Sequence, residues 1–422
     1  MKKTAKLIVA RILGMQVKRL RRKNEFKTIG VVGSVGKTST KIAIAKVLGE
    51  SLRVQYQEGN YNDLVTVPLI FFGLNEPSLF NPLAWLKVFI NIEKQLRRPY
   101  PYDAVVLEIG TDSPGQIAQF GSYLHLDIAV LTAISHEHME FFGDLNGVAK
   151  EELSVSQYSD LVLINSDLSS SDYLKGQTFN YLSYGKNAEA DYHISKLIMI
   201  NNNAHFSLLN PQNESLEIKI AALSMGEVYS ASAAIIVAEI LKLSPKIINE
   251  GVGKLKPFSG RMQQLKGVNG SLLIDETYNS SPEAIIDALD AIYRMKASQK
   301  IAVLGNMNEL GEYSKKAHED IGNYCDPKQL DLVITIGKDA NKYLAAAATE
   351  RGCNVLCFND PYSVGRKVKE VVKNNGVVLF KGSQNGVFLE EALKMVLEDP
   401  KDVSKLVRQS PSWIKQKSKL LG

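Results

Sequence analysis

From Thr28 onwards, short continuous apolar runs alternate with stretches whose apolar residues recur at helical spacing. Continuous runs mark strands buried on both faces, and the helical stretches between them mark the crossovers of a parallel sheet. "TIGVVG" (28–33) reads as the first buried strand and "KTSTKIAIAKVLGE" (37–50) as the helix that follows it. "DAVVLEIG" (103–110), "DIAVLTAI" (127–134) and "DLVLIN" (160–165) read as further strands. The segment 75–101 interrupts this rhythm. Its helix "NPLAWLKVFINIEKQLRRPYP" places Trp85, Val88, Phe89 and Ile92 on one stripe, as expected of a packed insertion rather than a membrane element.

The helix "SASAAIIVAEILKL" (230–243) precedes "GVGKLKPFSGRMQ" (251–263), a Gly- and Lys-rich stretch that reads as a domain boundary. After it the alternation restarts. "SLLIDE", "KIAVLG", "DLVITIG", "NVLCFN" and "GVVLFKG" read as strands, with helices beginning near Ser281, Ser314, Asp339, Pro361 and Asn385. The expectation is an α/β chain in which a central P-loop-ATPase-like domain with a mostly parallel sheet (28–260) precedes a Rossmann-like, doubly wound domain (261–400). Residues 1–27 form a separate N-terminal helix and 401–422 a tail.

A length of 422 residues accommodates these units, and 45% hydrophobic with 23% charged residues is a globular composition. No apolar run is long enough to span a membrane. Cys325, Cys353 and Cys357 have neither zinc nor redox spacing and read as reduced thiols of a cytoplasmic protein. Charge changes the picture at one end only. Residues 1–27 hold ten of the 50 Lys/Arg and one of the 45 Asp/Glu, which leaves the remainder net acidic. In that segment Ala5, Ile8, Val9, Ile12 and Leu13 recur at helical spacing among Lys6, Arg11 and Lys18. Two readings fit: a basic amphipathic helix in peripheral contact with an anionic membrane, or a solvated helix docked on the body. An acidic body, and a basic segment without interleaved aromatics, argue against nucleic acid as a partner.

The candidate chemistry begins at "GVVGSVGKTST" (30–40). A glycine-rich turn between a buried strand and a helix N-terminus presents unpaired amides and about half a positive charge to phosphate. Gly33, Ser34, Val35, Gly36 and Ser39 would wrap the anion, Lys37 reach its terminal phosphates and Thr38 offer a hydroxyl to Mg²⁺. Val31 stands where the strict eight-residue form needs glycine, so the motif is the shorter Gly-x-x-Gly-Lys-Thr. Glu108 ends the strand "AVVLEIG", where an open α/β sheet presents a carboxylate that would complete the Mg²⁺ shell.

Eight segments matter together: "GSVGKTST", "GNYNDLVTVPLIFFG", "VLEIGTDSPGQI", "HMEFFGDLNGVAKEE", "SGRMQ", "DETYNSSPEA", "LGNMNELGEYSKKAHEDIG" and "FKGSQ". In this order they resemble the Mur ligases from about residue 28 to about 395, and within them the D-alanyl-D-alanine-adding (MurF) type. The family's UDP-binding first domain has no counterpart in this sequence, which begins almost at the phosphate loop. The resemblance implies ATP-driven amide formation in peptidoglycan precursor synthesis. A peptide carboxylate takes the γ-phosphoryl group, and an amine then displaces phosphate through a tetrahedral intermediate. Two Mg²⁺ ions are implied, held by Thr38 and Glu108 and by His138 and Glu152, with His136 as the alternative histidine.

Glu152 stands where the family usually carries a carbamylated lysine, fourteen residues after the histidine, and is expected to supply that negative charge directly. Lys150 is two residues away, about 200° round a helix, and cannot substitute. Arg261 resembles the interdomain arginine on the ATP phosphates, and Asn279 a residue that approaches the nucleotide from the C-terminal domain. Lys381 and Ser383 resemble the substrate-facing pair, so Lys37, His138, Glu152 and Lys381 form the expected catalytic set. Asn306 replaces the family's Asp at a position expected to face nucleotide; Gln384 replaces Arg, Ser281 and Asp63 replace Asn, and "SMGEVYSASAA" lacks a His-Asn pair. These departures bear on the acceptor more than on ATP. The alternatives are a Mur-like ligase for another carboxylate and amine, as in folylpolyglutamate or cyanophycin-type relatives, and a nucleotide-binding scaffold of wall synthesis with reduced catalysis. Oligomeric state is not legible.

Overall fold

The structure, a computed structural model, describes residues 2–421 other than Asn60, Asn201 and Asn385, and the side chains of residues 2–5 are not described. The apolar position Ala5 and the helix start expected at Asn385 therefore lie outside the described residues. The first sheet has nine strands: β1 (Lys27–Val32), β2 (Val54–Gln55), β3 (Ala104–Glu108), β4 (Ile128–Leu131), β5 (Val162–Asn165), β6 (Tyr181–Gly185), β7 (Tyr192–Ile200), β8 (Asn203–Leu209) and β9 (Ser215–Ala221). They lie in the order β2-β3-β1-β4-β5-β6-β7-β8-β9, parallel from β2 to β7 and antiparallel through β7, β8 and β9. Strand order reverses around β1, so the carboxyl ends of β3, β1 and β4 lie side by side where such sheets bind ligands.

The second sheet contains β10 (Gln263–Lys266), β11 (Leu272–Glu276), β12 (Lys300–Gly305), β13 (Leu332–Ile336), β14 (Val355–Phe358) and β15 (Val377–Lys381), ordered β10-β11-β15-β12-β13-β14. All its pairings are parallel except β10 with β11. The mostly parallel α/β class read from the apolar pattern is thus the observed one. In the C-terminal sheet the ends of β11, β15 and β12 are neighbours, which gathers the loops after Glu276, Lys381 and Gly305.

Four helices frame the N-terminal part: α1 (Lys2–Arg21), α2 (Lys37–Leu48), α3 (Thr66–Ile70) and α4 (Pro82–Leu96). α2 is sandwiched against the helix Met225–Ile240, whose middle is almost wholly buried. α1 docks through Leu13, Val17 and Leu20, spaced four and three apart and essentially inaccessible. Burying each such side chain is worth about 1.5–3 kcal/mol. Of the apolar positions expected on this helix, Leu13 is buried, Val9 and Ile12 are half-buried, and Ile8 is exposed. α4 opens with Asn81 accepting from Ala84 N at 3.0 Å and Pro82 in its first turn, and it buries Trp85, Val88, Ile92 and Leu96. Phe89, expected in that stripe, is half-buried.

The tail continues the packing. Arg408 donates to the carbonyls of Thr277 and Tyr278, 2.6 and 3.1 Å away, and pairs with the buried Glu390 at 2.7 Å. Lys417, from the helix Pro411–Leu421, is also buried and reaches Glu390 at 3.2 Å and Glu391. Among the described residues no helix is long and apolar enough to cross a membrane.

Candidate functional site

The phosphate loop is shaped by two glycines. Gly33 has φ +121° and Gly36 φ +87°, a region that side chains avoid. A Cβ on Gly33 would lie 2.4 Å from Thr132 Oγ1 and 2.8 Å from Ala133 N, so the loop must pass against the end of β4 without one. Ser34 N donates to Ala133 O at 2.9 Å, and Ser34 Oγ bonds Ser135 in both directions. Gly36 caps α2, and the Thr38 hydroxyl is buried in its first turn.

Lys37 curls over the loop, donating to the carbonyls of Gly33 and Ser34, and pairs with Glu137 Oε2 at 3.2 Å. Burial opposes its charge, but the carboxylates of Glu137, Glu152 and Glu108 outweigh that and hold the ammonium above its ordinary pKa. Glu108 closes β3 fully buried. Its Oε2 lies 3.1 Å from Lys41 Nζ and its Oε1 accepts from Asn62 at 3.4 Å. Glu152, on the helix Leu145–Leu153, accepts from Gly33 N at 2.7 Å. Burial pushes its carboxyl up to about 7 against the pull of Lys37. Lys150 is exposed to solvent, away from this cluster.

His138 caps a short helix with φ +53°, and its Nδ1 lies 2.8 Å from Glu309 Oε2 of the C-terminal sheet's loops. Burial lowers its pKa, but Glu309 and Glu137 together raise it above the ordinary value. His136 stacks on Tyr313 at 4.1 Å and sits 3.5 Å from Glu283. Both histidines thus bridge the two sheets' loops.

Between those loops lies a cavity of about 880 Å³. Val35, Gly36 and Ser39 line one wall; Arg261, Glu276 and Asp287 line the other. The Arg261 guanidinium lies over the Tyr278 ring at 4.4 Å and 3.8 Å from Glu276. Asp287 accepts from the Met225 and Gly226 amides at the start of the helix Met225–Ile240, which ties the two halves together where the expected His-Asn pair is absent. Lys381 is buried and donates to Asn279 O and to Glu276 at 3.3 Å; burial pulls its pKa below the usual lysine range.

Of the expected nucleotide contacts, Val35, Gly36, Ser39 and Arg261 line the cavity, whereas Gly33, Ser34, Lys37, Thr38, Asn279 and Asn306 stand outside its lining. Asn279 meets Lys381 through its carbonyl, and Asn306 Oδ1 accepts from the amides of Asp339 and Ala340 at 3.1 and 2.9 Å. The sequence departures have local reasons. Asp63 accepts from the Val65 and Thr66 amides and pairs with Lys6 of α1 at 2.7 Å, and Ser281 caps the helix Pro282–Arg294. Ser383 Oγ accepts from Asn308 N. Nothing in the structure explains Gln384.

Sequence reasoning passed over Lys41, Glu137 and Glu309. Lys41 follows Lys37 by one helical turn inside an apolar stretch, and Glu137 adjoins the motif histidine; both were legible signals. Glu309 has no local sign, because its partner is 171 positions away.

Residues 31–238 match the Mur ligase middle domain and residues 260–384 the Mur ligase, glutamate ligase domain. The chain belongs to the Mur ligase family. Its curated relatives include the UDP-N-acetylmuramoyl-tripeptide–D-alanyl-D-alanine ligase of Bacillus subtilis (strain 168), 27% identical over 381 residues, covering 89% of this chain and 76% of that protein. The enzyme of the same name from Escherichia coli (strain K12) is 24% identical over 383 residues, covering 88% and 77%. In fold, the chain is similar to the MurF ligase of Thermotoga maritima in complex with ADP, with a TM-score of 0.75, 24% identity, and 94% and 84% of the two chains covered. The Mur ligase middle domain thus contains the phosphate loop, Glu108, His138 and Glu152, and the cavity opens from it toward the C-terminal domain.

The residues present fit a divalent cation as part of a composite site. Three carboxylates, Glu108, Glu137 and Glu152, act on Lys37; Lys41 pairs with Glu108, and Lys37 and His138 both pair with Glu137. Carboxylate oxygens gathered beside a phosphate loop are the donor type that suits Mg²⁺. Among the described residues no three His, Cys, Asp or Glu side chains are gathered closely enough to hold a metal alone.

Proposed function

We propose that this Mur ligase is an ATP-dependent peptide ligase that joins D-alanyl-D-alanine to a UDP-muramoyl peptide. The observation that carries the proposal is the cavity whose one wall is the phosphate loop and whose other wall is the C-terminal domain's Arg261 and Glu276. Two domains facing each other across a nucleotide pocket suit a reaction in which an activated carboxyl must meet a separate amine. The named relatives supply the substrates.

In this reading the loop amides and Lys37 hold the β- and γ-phosphates of ATP. Lys37 is kept charged by its carboxylate neighbours and leaves Glu137 for the phosphate. Thr38, Glu108, His138 and Glu152 would hold Mg²⁺, one ion or two, which supplies charge neutralisation where carboxylate and triphosphate meet. For His138 to do so, its contact with Glu309 must open. Arg261 orients phosphate from the facing domain. Lys381, whose ammonium is held by Glu276 and Asn279 O, would steady the developing oxyanion in its charged form. Glu152 supplies as a plain carboxylate the charge that carbamylation supplies elsewhere in the family. Residues 1–27 belong to the same reading as a peripheral anchor that would keep the enzyme beside the membrane.

The test is phosphate release from ATP with D-alanyl-D-alanine and a UDP-muramoyl tripeptide, with Lys37→Met as control. Release that needs both substrates, is abolished in the control, and is unchanged by added bicarbonate supports the proposal. ATP binding without release for any donor and amine would replace it with the scaffold reading.

A further inference from the structure

Six of the fourteen large apolar side chains exposed among the described residues sit on two adjacent helices: Leu7, Ile8 and Met15 on α1, and Leu83, Leu86 and Ile90 on α4. On α4 the spacing of three and four puts them on one stripe, opposite the stripe of Trp85, Val88 and Ile92 that enters the core. On α1, Ile8 and Met15 are two turns apart on the face away from Leu13, Val17 and Leu20. Both helices bury their inner faces in the same core cluster. They run side by side in the same direction, since Arg19 pairs with Glu93 and Lys23 reaches Leu96 O at 3.5 Å. Their outer faces therefore look away from the body together.

These faces are ringed by cations. Residues 1–27 and 82–98 hold fourteen Lys/Arg and two Glu, whereas the whole chain is nearly balanced at 50 against 45. One of the two, Glu93, is paired with Arg19. Arg11, Lys18, Arg22 and Lys23 of the N-terminal segment and Lys87, Lys94, Arg97 and Arg98 at α4 are all exposed. An exposed apolar stripe rimmed by basic side chains is the pattern of a helix lying in the interface of an anionic bilayer.

We propose that the joined outer faces of α1 and α4 form one docking surface for an anionic lipid bilayer. The inference goes beyond the N-terminal segment, because α1 spends its inner face on the core and α4 contributes half the apolar contact. It deepens the anchor of the proposed function, and its failure is separable from that of the ligase reading because binding to vesicles requires no turnover. The insertion of residues 75–101 gains a role in this view, since it doubles the number of exposed large apolar side chains that α1 offers among the described residues. The two elements together satisfy the rule that stable peripheral attachment combines apolar insertion with electrostatic attraction.

The experiment is flotation of the full chain with vesicles of phosphatidylcholine alone or with 30 mol% phosphatidylglycerol added. The expected result is at least a tenfold higher bound fraction on the anionic vesicles, reduced about tenfold when NaCl is raised from 0.1 to 0.5 M. Leu86→Glu/Ile90→Glu and Arg11→Glu/Lys18→Glu should each abolish the difference, while Ile198→Glu, on a distant exposed strand, should leave it intact. The substituted side chains are all exposed, and unchanged thermal melts together with unchanged ADP binding verify that the variants are folded. Equal binding to neutral and anionic vesicles, or flotation of Leu86→Glu/Ile90→Glu at the parent level, overturns the proposal. So does light scattering that finds a stable dimer split by Leu86→Glu/Ile90→Glu, which would assign the face to a second copy of the chain.

Discussion

Replacing Glu152 by glutamine should flatten part of the protein's pH–stability curve, and the size of the effect follows from its burial. The carboxyl accepts one amide hydrogen bond from Gly33 and is raised to about 7, first by burial, with Lys37 acting against the rise. In the unfolded chain an ordinary glutamate titrates near 4.3. Between those values the folded state binds more protons than the unfolded one, so this group's contribution is fully present below the unfolded pKa and is lost as pH rises through the folded pKa. Each unit is worth about 1.4 kcal/mol, which makes the full loss about 4 kcal/mol and the part falling between pH 5 and pH 8 about 2 to 3 kcal/mol. Glutamine keeps an acceptor for Gly33 N and cannot ionise. Urea unfolding of both proteins with EDTA and no nucleotide, at half-unit steps from pH 5 to 8, isolates this contribution, because all other titrating groups are common to both. The stability of the parent relative to Glu152→Gln should fall by that amount across the range. Curves that stay parallel to within about 0.5 kcal/mol would refute the claim that burial dominates at this position.

Gly33→Ala forces a Cβ into the Thr132–Ala133 backbone at a φ of +121°. It should weaken ADP binding about 10- to 100-fold, and an unchanged affinity in a fluorescent-nucleotide titration would contradict that. Glu108→Gln strands the buried Lys41 ammonium and should cost about 3–5 kcal/mol in urea unfolding. Adding Lys41→Met to it should recover most of the loss. Glu309→Gln removes the main partner that raises His138, so the histidine's titration, followed by NMR of its ring protons, should move to lower pH. The stability that charged His138 contributes, present below its ordinary pKa and lost as pH rises through the raised one, should shrink with it. No movement of the titration would show that Glu137, not Glu309, governs the imidazole.

What was legible in the sequence is what local geometry enforces. A phosphate loop needs glycine at particular turns, and "GSVGKTST" showed them; buried parallel strands need unbroken apolar runs, and β1, β3, β4 and β11 to β15 have them. β7, β8 and β9 were not foreseen, because an antiparallel ribbon with one wet face carries polar residues at alternate positions and "YHISKLIMI" hides among loops. The outer stripe of α4 was missed for the opposite reason: apolar residues all round one helix look like a packed insertion until the structure shows which are exposed. Within the site, Glu108 and Glu152 were found from motif positions, but not what they touch. Lys41 and the Gly33 amide reach them from 67 and 119 positions away, and no local pattern encodes such pairs.

The strap formed by Arg408 and Lys417 has a consequence for how the molecule comes into being. Arg408 supports the carbonyls of Thr277 and Tyr278 from 131 and 130 positions downstream. The segment beside Asn279 therefore gains this support only after residue 408 has emerged from synthesis, so the clasp is the last part of that wall to be made.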